Sequence, residues 1–287
     1  MMDVLFVAEV CSNHDRDLNR CLSFIDRAAE IGCGSVKFQL FKIRQLFSAE
    51  ALAADADLRR REAWELPVEF LPELSRRCRE RGVKFSCTPF YLEAVAELSP
   101  YVDFFKIASY ELLWRDLLVA CARSGKPVVL STGMADLAEA RRAVTTLREA
   151  GCADLRLLHC ISSYPTPIGD CNLAAIDTLR KEFDCPVGWS DHSAVPAVIY
   201  RAVHAWGAEL IEFHLDLDGS GAEFAAGHCW LPEQIAPVIR VVNDGLRADG
   251  SGIKAPAGCE RGEIDWRADP SDGLRPFKKI RPRDEAA

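Results

Sequence analysis

The 287-residue sequence contains no C-x-x-C pair, although its twelve cysteines run from Cys11 to Cys259. That scatter argues against a zinc ribbon and against a disulfide framework. Several cysteines, among them Cys87, Cys160 and Cys185, lie in or beside apolar strand-like runs, where a free thiol behaves as a small hydrophobe. No apolar run approaches the roughly 20 residues that cross a bilayer, and the opening MMDVLFVAEV has no basic region ahead of its apolar residues. We therefore expect a cytoplasmic protein without a membrane partner. Positive charge is in deficit as well, since 35 Lys and Arg face 43 Asp and Glu for a net charge of −8. That balance disfavours a nucleic-acid partner and requires any anionic ligand to be held by local groups. Neither G-x-G-x-x-G nor G-x-x-x-x-G-K-[ST] occurs, so no nucleotide-binding loop is signalled.

What is present is an alternation of short β-branched or aromatic runs with longer amphipathic stretches. Eight strands are expected, at Val4–Glu9, Ser35–Gln39, Val83–Cys87, Phe104–Ala108, Val128–Ser131, Leu155–Cys160, Val187–Ser190 and Glu209–His214. Runs such as KPVVLST and LRLLHC are apolar nearly throughout, as parallel strands covered on both faces must be. The pattern predicts an α/β fold, a (β/α)8 TIM barrel over residues 1–248, with an open doubly wound sheet as the alternative. Residues 249–287 are rich in Gly, Pro and charge and too poor in apolar residues for a second core. They are expected to form a partly ordered tail that packs on the barrel through Trp266 and Phe277 and then frays.

In such a barrel, chemistry sits where strands run into the following loops, so polar residues at those ends are informative. Lys37 and Gln39 share a face of the second strand, and Lys106 interrupts the apolar run VDFFKIAS. A lysine there is costly unless an anion or a carboxylate meets it. With Thr88, Ser109, Ser131 and Ser190 at the same end, the pattern suits a cradle for phosphate and carboxylate; the alternative is pairing with Glu9 or Glu212. His192 and His214 end adjacent strands, about 4.8 Å apart. They can share a divalent ion such as Mn2+, Fe2+, Co2+ or Zn2+, act in acid–base transfer, or simply be hydrogen-bonded. His159 and His204 are read as structural.

The segments AEVCSNHDRDLNRCLSFIDRAAEIGCGSVKFQLF, FSCTPF, FKIAS, KPVVLSTGM, LLHCISSYPTP, GWSDHS and IEFHLDLD, in this order, resemble the N-acetylneuraminate (sialic acid) synthase family over residues 5–245. The resemblance implies condensation of phosphoenolpyruvate with a sugar aldehyde to give a 2-keto-3-deoxy, nonulosonate-like sugar acid and phosphate. It implies that Lys37, Gln39, Thr88, Lys106, Ser109, Ser131 and Ser190 hold phosphoenolpyruvate, and that His192 and His214 hold Mn2+. It also places Glu9, Glu111 and Lys106 at the reacting atoms and Tyr164 beside the acceptor, in a homodimer.

Three departures fall on the acceptor side. Family enzymes that make sialic acid carry a C-terminal antifreeze-like domain, which is not seen by Ala287; Ser162 stands where an asparagine is usual; and GAEFAAGHCWLP replaces a glycine-proline-aspartate-histidine run. The expectation is the same half-reaction on an aldehyde other than N-acetylmannosamine, with Asp216, Asp218, Glu223 and His228 as candidate acceptor contacts. Two other classes stay open: a Schiff-base aldolase or lyase using Lys106 or Lys37, and a non-catalytic protein that binds phosphoenolpyruvate or a sugar acid.

Overall fold

The computed structural model describes residues 4–282. Eight parallel strands follow one another in space as in sequence: β1 (Leu5–Glu9), β2 (Ser35–Leu40), β3 (Lys84–Pro89), β4 (Phe104–Ile107), β5 (Val128–Ser131), β6 (Leu155–Cys160), β7 (Val187–Asp191) and β8 (Leu210–Leu215). β1 also pairs with β8, Leu5 opposite Leu210 through Glu9 opposite His214, so the sheet closes into a barrel and the open-sheet alternative falls. Each expected strand is present to within two residues at either end. A two-residue strand, β9 (Cys229–Trp230), extends the rim by pairing with the end of β8.

The connecting helices are α1 (Leu18–Glu30), α2 (Leu71–Arg81), α3 (Leu92–Leu98), α4 (Arg115–Arg123), α5 (Leu137–Glu149), α6 (Ala175–Phe183), α7 (Pro196–His204) and α8 (Pro232–Ala248). In α1 the buried residues Cys21, Phe24, Ile25 and Ala28 follow helical spacing, and the Asp17 carboxylate accepts from the Asn19 and Arg20 N–H groups to cap its start. α5 begins with a reciprocal capping box between Asp136 and Glu139. Between β2 and α2 the chain makes short helices at Ile43–Leu46, Ala49–Ala54 and Ala56–Arg60, which carry no long apolar periodicity.

Strand side chains alternate between two environments. Phe6, Ala8, Phe105, Ile107, Leu130, Leu157, Trp189 and Ile211 join the helices in the main core. Val7, Phe104, Val129, Leu158 and Leu210, of the opposite parity, form a separate buried cluster inside the barrel, with Leu5 packed against it. Gly188 belongs to this interior: a Cβ there would lie 2.2 Å from the Leu210 carbonyl oxygen and 2.8 Å from Leu158. The next inward residues along the same strands are Glu9, Lys106, Ser131, Cys160, Ser190 and Glu212, so the apolar plug is the floor beneath a polar layer. All twelve cysteines are free, nine of them buried.

The second compact unit begins at Asp249. Its order comes from polar contacts, with Arg281 and Lys278 on Asp272 and Lys279 on Asp265. Trp266, expected as a packing anchor, is exposed; Phe277 is half-buried, with the guanidinium of Arg267 5.2 Å and the ammonium of Lys279 5.7 Å from its ring. Few apolar residues are available there, and cation–aromatic contacts replace a core. The terminal part of the expected fraying, residues 283–287, lies outside the described residues. Among the described residues no helix is long and apolar enough to cross a membrane.

Candidate active site

Directly above the plug, the register of β1 with β2 sets Glu9 beside Lys37, and their side chains form an ion pair. Glu212 Oε1, reaching in from β8, lies 3.7 Å from Lys37 Nζ and 3.3 Å from Lys106 Nζ. All four groups are buried. Two ammonium and two carboxylate charges cancel, which makes their joint burial tolerable. Burial still pushes Lys37 down to about 8, against the pull of Glu212. For Glu212 burial acts to raise the pKa, but Lys106 and Lys37 together outweigh it and hold the carboxyl below the usual range. Lys37 is therefore paired with both Glu9 and Glu212, and Lys106 with Glu212. An ammonium has three donors, however, so pairing does not exhaust either one.

Around these charges stands a ring of hydroxyls. Thr88 Oγ1 accepts from Lys37 Nζ at 3.4 Å, and Ser190 Oγ donates to Glu212 Oε1 at 3.2 Å. Ser109 Oγ accepts from the Gly133 N–H at 3.0 Å and touches Cys160 Sγ at 3.1 Å. Ser86, Ser131 and Ser162 have buried hydroxyl oxygens without a protein partner, a costly arrangement that suits a ligand rich in acceptors. Gly133 keeps this wall open, since a Cβ would lie 2.5 Å from Ser162 Oγ and 2.8 Å from Ser109 Oγ. Gln39 sits at the half-buried mouth of β2. Glu111, on the turn after β4, has a buried unpartnered Oε2, and burial pushes it up to about 7 although Lys106 draws it down.

At the rim, Asp191 pairs with Phe213, which brings the next residues, His192 and His214, side by side with ring centroids 5.4 Å apart. His192 Nδ1 lies 2.8 Å from the Ile161 carbonyl oxygen and His214 Nδ1 2.8 Å from Glu223 Oε2. Both partners are acceptors, so each Nδ1 carries the proton and each Nε2 keeps its lone pair. Two such imidazoles fit a divalent ion with oxygen co-ligands. The Tyr164 ring stands 4.3 Å from that of His192 and 5.2 Å from that of His228. His159 Nε2 is 3.0 Å from the Cys171 carbonyl oxygen, away from this group, in keeping with a structural histidine.

The acidic residues offered by the sequence as acceptor contacts divide into two kinds. Arg20 holds Asp218 at 2.9 Å and Asp216 at 3.4 Å, and Asp216 also accepts from the Gly221 N–H, so both brace the loop after β8. Glu223 and His228 do reach the rim, Glu223 as the partner of His214. Burial acts against the Glu223 carboxylate, but the hydrogen bond from His214, with the His228 ring close by, holds its pKa far below the usual range. Glu212, by sequence only a candidate counter-ion, joins the two lysines and Ser190. Its signal was a glutamate two residues before His214, on the same strand face. Asp191, not singled out, accepts from the indole N–H groups of Trp189 and Trp230, each at 3.1 Å, and from Ser193, which fixes the end of β7 beside His192.

Residues 24–254 match the NeuB family. The chain is 33% identical over 279 residues to the N,N'-diacetyllegionaminic acid synthase of Campylobacter jejuni, covering 92% of this chain and 83% of that protein. It is 33% identical over 230 residues to the N-acetylneuraminate-9-phosphate synthase of Drosophila melanogaster, covering 76% and 61% respectively. The crystal structure of N-acetylneuraminic acid synthetase from Leptospira borgpetersenii, in complex with citrate, superposes with a TM-score of 0.81 at 32% identity, over 94% of this chain and 93% of that one. The strand-end lysines, hydroxyls and paired histidines thus belong to an enzyme of the sialic acid synthase type, and the chain is a member of the NeuB family.

Proposed function

We propose that this enzyme condenses phosphoenolpyruvate with a sugar aldehyde, yielding a 2-keto-3-deoxy sugar acid and inorganic phosphate. The observation that carries the reading is the pair of buried lysines, Lys37 and Lys106, under a ring of hydroxyls that includes the unpartnered Ser131. In this reading the lysines and the hydroxyls of Thr88, Ser109, Ser131 and Ser190 bind the phosphate and carboxylate, with Gln39 at the mouth. Carbon 3 of phosphoenolpyruvate forms the new bond to the aldehyde carbon, water adds at carbon 2, and phosphate leaves from that carbon. Glu9, fixed by the Cys11 N–H at 2.8 Å, is placed to orient the water. Glu111, raised to about 7, is suited to moving a proton near neutral pH. Lys106 stabilises charge on the departing phosphate. A divalent ion on His192 and His214, Mn2+ by family pattern, would polarise the aldehyde.

Tyr164 and Ser162 flank the acceptor side, and Ser162 with the altered loop after β8 supports an acceptor other than N-acetylmannosamine. The Schiff-base alternative is not favoured, because both lysines are engaged by carboxylates. The same reading carries a homodimer acting in the cytoplasm. Exposed Tyr110, Leu113, Met134 and Ile168, on the loops after β4, β5 and β6, offer apolar surface for a dimer contact.

The test is phosphate release from phosphoenolpyruvate with Mn2+ across a panel of aldoses, with mass spectrometry of the products. Release should require His192 and His214 and give a mass equal to aldose plus pyruvate. Failure of phosphoenolpyruvate to bind would end the proposal.

A further inference from the structure

The segment that departs most from the family pattern, GAEFAAGHCWLP, brings three metal-binding side chains to one residue of the active site. Ligand atoms of His214, Glu223, His228 and Cys229 all lie within 4.8 Å of one another. Cys229 is the direct cross-strand neighbour of His214 in the β8–β9 pair, so the backbone fixes that proximity. Glu223 Oε2 lies 2.8 Å from His214 Nδ1, 3.7 Å from His228 Nε2 and 3.6 Å from Cys229 Sγ. A tetrahedral ion with bonds of about 2.0–2.3 Å sets its ligands about 3.3–3.8 Å apart, so the widest separation needs to contract by about 1 Å. His228 is buried, and its Nδ1 has no protein partner.

We propose that these four residues form a second metal site, for a thiophilic zinc-class ion, that competes with the His192–His214 pair for His214. Thiolate and imidazole ligands select such an ion over Mn2+. Binding takes the thiol proton of Cys229 to solvent and moves the His214 proton from Nδ1 to Nε2. A neutral imidazole has one lone pair, so once Nδ1 is a ligand, Nε2 no longer serves a metal shared with His192. Filling the second site therefore disables the first. The inference rests on the geometry of the β8–β9 rim and does not depend on which substrates the enzyme takes.

The test uses Co2+ as a spectroscopic probe on the full chain, with Mn2+ binding followed separately by electron paramagnetic resonance. Wild type should show a sulfur-to-cobalt charge-transfer band that is kept in His192→Ala and lost in Cys229→Ser. Retained Mn2+ binding in Cys229→Ser, together with its loss in His192→Ala, would show that the serine variant is folded and that the two sites are separate. Absence of the band in wild type, or its survival in Cys229→Ser, would overturn the proposal. Should the band follow this pattern while phosphoenolpyruvate fails to bind, the second site stands and the synthase reading falls.

Discussion

Two layers inside the barrel, adjacent along the same strands, are built from opposite chemistry. Val7, Phe104, Val129, Leu158 and Leu210 make an apolar floor, and one inward position further on Glu9, Lys106, Ser131, Cys160 and Glu212 make a polar chamber. Strand geometry is the same in both, so geometry alone does not make a site. The floor excludes water and holds the strands in register, which lets the layer above keep ionised groups in fixed places. The floor should carry stability, and the chamber should carry binding and turnover at some expense of stability.

The largest break in that division is expected from Lys106→Met, which deprives Glu212 of its nearer counter-charge. Removing one partner of a buried pair costs about 3–5 kcal/mol. Denaturant melts should show that loss together with loss of phosphoenolpyruvate turnover. Leu158→Ala sharpens the comparison from the other side: it should lower stability by about 3 kcal/mol while leaving the KM for phosphoenolpyruvate close to wild type.

A pH profile separates the layers without emptying either. Lys37 titrates at about 8 in the fold, below its ordinary 10.5. Between those values the unfolded chain holds the proton and the fold does not, so this group's contribution to stability rises with pH across that window and is lost as pH falls through about 8. Substrate capture runs the opposite way, because only the ammonium attracts an anion. The kcat/KM for phosphoenolpyruvate should fall above about pH 8, and Lys37→Arg, if active, should flatten that limb. The smallest effect is expected at the solvent-exposed start of α5, where Asp136→Ala removes a helix cap and should cost about 1 kcal/mol with unchanged kinetics.

The strands were legible because each is short, largely apolar and bounded by turn residues, and because most of the polar exceptions, Glu9, Lys37, Lys106, Ser131, Ser190 and Glu212 among them, share the inward parity, with His159 and Asp191 on the other. The polar chamber and the rim were less legible. Nothing local in the sequence indicates that Lys37 meets both Glu9 and Glu212, since that depends on barrel closure and on the β1–β8 register. Asp216 and Asp218 read as ligand contacts because they follow a strand, yet Arg20, nearly two hundred residues earlier, takes both. β9 is two residues long, too short for any periodicity, and its pairing with His214 became apparent only in three dimensions.

The balanced set of two lysines and two glutamates also governs how a substrate arrives. Because their charges cancel, the chamber projects little field into solvent, while the chain as a whole carries −8. An anionic substrate is thus repelled at long range and attracted only on contact. Added salt should therefore speed its association until specific ion binding intervenes, the reverse of an electrostatically steered enzyme.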